Sequence, residues 1–202
     1  MSKLLTRSLI INIIITTIIL IILISGLIWI DRSYTKLIDE ETKKLNNVSD
    51  LIILVNNEQI YALNYNNIDS NHFNGYEQLI HQTNTIILNI NKDIKNPTEK
   101  RLINIVIKSY SIYQNIVQNI IQNKNLTQIA ESENAYRKVV EVSDNLSYYY
   151  IKEIDKNNQI NTKRSNIISI ICLTALVLNQ LLLLSMLIYK KKESSGENKA
   201  GG

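Results

Sequence analysis

Two long apolar runs, Leu9–Ile30 and Ile167–Tyr189, limit what this chain can become more than any other feature. Each reaches the roughly 20 mostly apolar residues that a helix needs to cross a bilayer. Inside hydrocarbon every backbone N–H and C=O must be satisfied within the segment, so both runs are expected as helices. Residues 31–166 lie between them, a stretch long enough for one compact domain. The whole chain holds only one Pro and five Gly, too few turn residues for a β-rich fold. The expected class is therefore all-α.

Charge sets the direction of the two spans. The excess of +4 lies outside the central segment, because residues 31–166 hold sixteen basic and sixteen acidic side chains. Lys3 and Arg7 precede the first span, and Lys190, Lys191 and Lys192 follow the second. Positive charge collects on the cytoplasmic side, so both termini are expected inside and the central domain outside. The first run is too long for a secretory leader and lacks a small-x-small cleavage site, which makes it an uncleaved anchor. Trp29 falls where an aromatic interfacial belt would be. Asn12, Thr16 and Thr17 interrupt the first span; such residues can pair helices within a bilayer, or a strongly apolar span can simply tolerate them. The expected layout is a cytoplasmic tail at 1–8, spans at 9–30 and 167–189, a central domain at 31–166, and a basic tail at 190–202. Ser194–Gly202 reads as a flexible linker. Abundant Ile, Asn and Lys, which have AT-rich codons, point to a low-GC bacterium and its inner membrane.

Four helical stretches follow from the apolar spacing. Beyond the first span, Tyr34, Ile38, Leu45, Val48, Ile52, Val55 and Ala62 recur on one helix face. Ile68–Gly75, rich in Asn, Ser and Asp, reads as a connecting loop. A second helix is expected from Tyr76 to Asn96, where Pro97 stops it and starts a third with Asn96 as its cap and Glu99 in its first turn. The third carries Leu102, Val106, Tyr110, Tyr113, Val117 and Ile120, and closes at Asn123–Asn125. The last begins at Thr127 and meets no Pro or Gly before Lys192. At 1.5 Å per residue the outer part of the first helix runs roughly 54 Å and the fourth roughly 60 Å, against about 31 and 39 Å for the middle pair. These lengths fit an up-down-up-down antiparallel four-helix bundle flanked by two transmembrane helices. A second copy could add a further seam, so a homodimer is expected.

The arrangement of basic tail, anchor, four-helix domain and returning span resembles the ligand-binding and transmembrane region of bacterial methyl-accepting chemotaxis receptors. It is also similar to the input domains of sensor histidine kinases. The resemblance covers roughly residues 1–192. It implies signal transduction by a membrane receptor, with a small molecule or periplasmic protein as ligand and a small piston or rotation of the last helix as output. Such receptors continue into a linker and a long signalling module, whereas thirteen residues follow Tyr189 here. The output is then expected from another module or partner. The alternative is a two-span membrane scaffold that binds no ligand.

Counting heights along the third and fourth helices puts Tyr113, Tyr136 and Arg137 on one level, with Asn56 and Thr83 nearby. A guanidinium beside two phenols would suit a carboxylate ligand, since Arg presents a planar donor fork. The same three residues also fit a packed core with a solvated flank. No enzyme is expected: His72 and His81 stand without a metal-ligand cluster, and no phosphate loop or nucleophile elbow occurs. The lone Cys172 excludes an internal disulfide, and no cofactor or nucleic acid is implied. Tyr148, Tyr149 and Tyr150 fall on different helix faces, and three Asn-x-Ser/Thr matches arise readily in an Asn-rich chain. Two spans without ionisable residues offer no transport path.

Overall fold

The computed structural model describes residues 3–64, 70–92, 94–123 and 125–197, and the chain there is helical with no strand. Helix α1 spans Lys3–Leu63, α2 Ser70–Ile90, α3 Pro97–Asn123 and α4 Ile129–Glu197, with a short 3₁₀ turn at Leu126–Gln128 before α4. The all-α expectation holds for these residues.

Several boundaries differ from the sequence reading. The expected loop at Ile68–Gly75 lies outside the described residues up to 69, and from Ser70 onward it is helix. Gly75 is not a stop. A Cβ there would lie 2.7 Å from the Tyr61 hydroxyl, so glycine serves a close approach between α1 and α2. At its other end α2 stops at Ile90, six residues short of Asn96. Ile94 still packs on the core from the connecting segment, which is why it fitted the helical stripe. The tail from Ser194 to Glu197, expected as linker, continues α4, while residues 198–202 lie outside the described residues.

The start of α3 follows its sequence signal closely. Asn96 Oδ1 accepts the Glu99 N–H at 3.0 Å, and Pro97 occupies the first helical position, where a missing N–H leaves nothing unsatisfied. Glu99 reaches back to accept the Lys95 N–H at 2.7 Å, in the manner of a capping box.

The chain forms two compact units, one of Leu37–Lys156 and one of Met1–Lys36 with Asn157–Gly202. In the first, one buried cluster draws on all four helices: Val48, Leu51 and Val55 from α1, Tyr76 and Ile90 from α2, Val106, Tyr113 and Val117 from α3, and Val139, Leu146 and Tyr150 from α4. Each fully buried side chain of this size contributes about 1.5–3 kcal/mol.

In the second unit the two apolar segments pair. Windows of mean hydropathy 2.9 and 2.5, each only 6% buried, make α1 and α4 long and apolar enough to cross a membrane. Asn179, 8% exposed, joins them: its Nδ2 donates to Thr16 Oγ1 at 2.9 Å, and its carbonyl accepts from Asn12 Nδ2 at 3.2 Å. Of the two readings of these polar residues, Asn12 and Thr16 follow the first in contacting the other apolar segment, while Thr17 donates to Ile13 of its own helix. Gly26 faces Ile168, Cys172 is buried, and the Arg164 guanidinium lies 5.7 Å from the Tyr34 ring centre.

Candidate functional site

The buried face of α1 runs through Val48, Leu51, Val55 and Ala62 in steps of three, four and seven. Continuing that spacing puts position 58 on the same face, and position 58 is glutamate. Glu58 is 0% exposed. Its Oε1 lies 2.6 Å from the Thr83 hydroxyl oxygen and accepts from the Tyr110 hydroxyl at 3.1 Å. Its Oε2 has no hydrogen-bond partner among the described residues, and neither does the buried hydroxyl of Tyr76. Tyr113 closes the far side, its hydroxyl 3.4 Å from the Val55 carbonyl.

Loss of hydration raises the Glu58 carboxyl from 4.5 to about 6, against the opposing pull of the Thr83 and Tyr110 hydrogen bonds. The hydroxyls of Tyr76, Tyr110 and Tyr113 are all pushed up as well, first by burial and then by the Glu58 charge. The arrangement is a carboxyl among phenols with no cation bonded to it among the described residues, a setting that disfavours charge.

A second buried glutamate shows the opposite solution. Glu99 Oε1 accepts from Lys44 Nζ at 2.6 Å and from the Tyr150 hydroxyl at 3.2 Å, and its Oε2 accepts the Lys95 N–H. Lys95 Nζ in turn meets Glu41 at 2.6 Å and Glu40 at 3.2 Å. Lys44 also lies 5.8 Å from the centre of the Tyr150 ring. Both oxygens of Glu99 are partnered, one of them by a cation.

The three residues singled out from sequence separate. Tyr113 and Tyr136 come together, with ring centres 6.5 Å apart, and the Tyr136 hydroxyl donates to Asn56 Oδ1 at 3.1 Å. Arg137 turns to solvent with its side chain 73% exposed and donates to Glu133 at 2.6 Å. Neighbours on a helix point about 100° apart, so a shared height did not give a shared direction. Position 72, expected on a loop, lies in α2, and His81 is exposed on the same helix. Among the described residues no group of three His, Cys, Asp or Glu is arranged to hold a metal. Tyr150 is core, Tyr148 is exposed and Tyr149 lies between, each on its own face.

Glu58 was missed because a count of apolar residues passes over a carboxylate at a core position. The signal was its place three residues after Val55 and four before Ala62. Two shallow grooves lie on the α1–α2 surface. One, of about 300 Å³, is lined by Asn57, Tyr61, Gly75 and Gln78, and another, of about 370 Å³, by Asp50, Ile53, His81 and Ile86. The chain matches no protein-family model, no curated protein and no solved structure.

Proposed function

We propose that this chain is the sensing and membrane-crossing region of a transmembrane signal receptor. In this reading the two apolar segments span a bacterial inner membrane with both termini inside. Residues between them form an up-down-up-down antiparallel four-helix bundle outside, and the receptor works as a homodimer. The observation that carries the reading is the continuity of α4 from Ile129 to Glu197: one helix holds core residues of the helical domain and an apolar span. No Pro or Gly interrupts α4 before Gly196, and in this reading a shift of the helix at one end is carried to the other. The 6% burial of the apolar windows supports a lipid-facing role, since the core helix of a soluble protein would be covered. Lys3, Arg7, Lys190, Lys191 and Lys192 support the proposed direction.

The test uses the full chain in liposomes. Gly26 and Ile168 face each other, so G26C/I168C in a C172S background reports span pairing by its rate of disulfide formation. Overpacking the buried Val142 of α4 with V142F should change that rate several-fold if α4 transmits displacement. An unchanged rate in a folded V142F protein rejects the receptor reading and leaves the ligand-free scaffold.

A further inference from the structure

We propose that Glu58 is a proton-binding site, its buried carboxyl carrying a proton that completes a hydrogen-bond chain from Glu58 through Thr83 to the Leu79 carbonyl. The argument is a count of protons. Thr83 Oγ1 lies 2.6 Å from Glu58 Oε1 and 2.9 Å from the Leu79 carbonyl oxygen. Both neighbours are acceptors when Glu58 is ionised, and a threonine hydroxyl has one proton to give. One of the two short contacts then holds two oxygens with no hydrogen between them. A proton taken from water onto Glu58 Oε1 resolves the conflict: the carboxyl donates to Thr83, and Thr83 donates to Leu79.

The surroundings agree with this count. Glu58 Oε2 is buried without a donor among the described residues, which an ionised carboxylate tolerates poorly. Among the described residues, the groups that meet the cluster are Tyr76 and Thr83 from α2, Tyr110 and Tyr113 from α3, and, from α4, Tyr136 against Tyr113 and Ser132 against Gln59. None of these carries a positive charge. Burial among them lifts the carboxyl to about 6, within reach of mildly acidic surroundings. A proton also needs no cavity, which suits a packed core better than any larger ligand. The proton as the input of the receptor rests on the function proposed above, whereas the protonation itself does not.

Infrared difference spectroscopy of the full chain in detergent micelles, titrated through the 4.5 to 6 interval and beyond, tests the site. The wild type should show a protonated-carboxyl band that disappears with a midpoint near 6 and is missing in E58Q. Y110F, which removes one donor to the carboxyl, should move the same midpoint upward and assigns the band even if E58Q does not fold. A wild type without such a band, or a band unmoved by both variants, overturns the proposal. Either result leaves the cross-linking test of the receptor reading unaffected.

Discussion

The Thr83 hydroxyl bridges two helices, 2.6 Å from Glu58 of α1 while remaining 2.9 Å from the Leu79 carbonyl of its own helix. Valine has the same shape without the hydroxyl. T83V should therefore destabilise the folded chain by about 1–3 kcal/mol, the usual cost of leaving a buried polar group unpartnered. Urea unfolding of the full chain in micelles, followed by circular dichroism, measures it.

Stability should fall as pH rises. The folded Glu58 binds its proton up to about 6, whereas the unfolded carboxyl releases it near 4.5. The folded state thus holds more protons across this window, so the contribution is complete below 4.5 and lost as pH passes about 6. The difference corresponds to about 2 kcal/mol. Unfolding midpoints of wild type should decline over that interval relative to E58Q, whose amide does not titrate.

Two ion pairs of similar length should behave very differently. Lys44–Glu99 and Arg137–Glu133 are both 2.6 Å, but the first is buried and the second lies in solvent. K44A leaves the Glu99 carboxylate buried beside a hydroxyl and a backbone N–H, and should cost about 3–5 kcal/mol. R137A should cost no more than about 0.5 kcal/mol. Parallel denaturation curves decide both.

The same contrast explains what the sequence could reveal. The cap at Asn96 and Pro97 was legible because every group that satisfies it lies within four residues. The apolar face of α1 was legible at Val48, Val55 and Ala62 because helical spacing is local too. Glu58 was hidden because its partners Thr83 and Tyr110 come from other helices. The helical start of α2 was hidden for a related reason. Asn, Ser and Gly favour turns by type, yet Gly75 answers to Tyr61 on α1. For Arg137, counting along helices fixed a height and left the azimuth open.

That Tyr61–Gly75 contact gives a fourth expectation. Alanine in a helix is worth about 1 kcal/mol over glycine, but its Cβ would meet the tyrosine oxygen at 2.7 Å. G75A should therefore be neutral or destabilising in the wild type. In a Y61F background, which removes that oxygen, it should be stabilising. A double-mutant cycle on thermal midpoints reads the coupling.

A last expectation concerns the apolar pair. N179L removes the side-chain donor to Thr16 and should weaken the pairing of the two apolar segments by about 1–2 kcal/mol. Slower G26C/I168C cross-linking would register it.

The pairing through Asn12, Thr16 and Asn179 also fixes how the apolar helices can move. Leucine against isoleucine slides almost freely, because every position along such a surface resembles the next. Amides do not, since hydrocarbon offers them no substitute partner. The polar group therefore acts as a detent. Sliding one helix along the other breaks the 2.9 Å and 3.2 Å contacts at once, so they hold a single register against small strains. If the two helices cross a bilayer as proposed above, their pairing resists thermal jitter and yields only to a larger displacement.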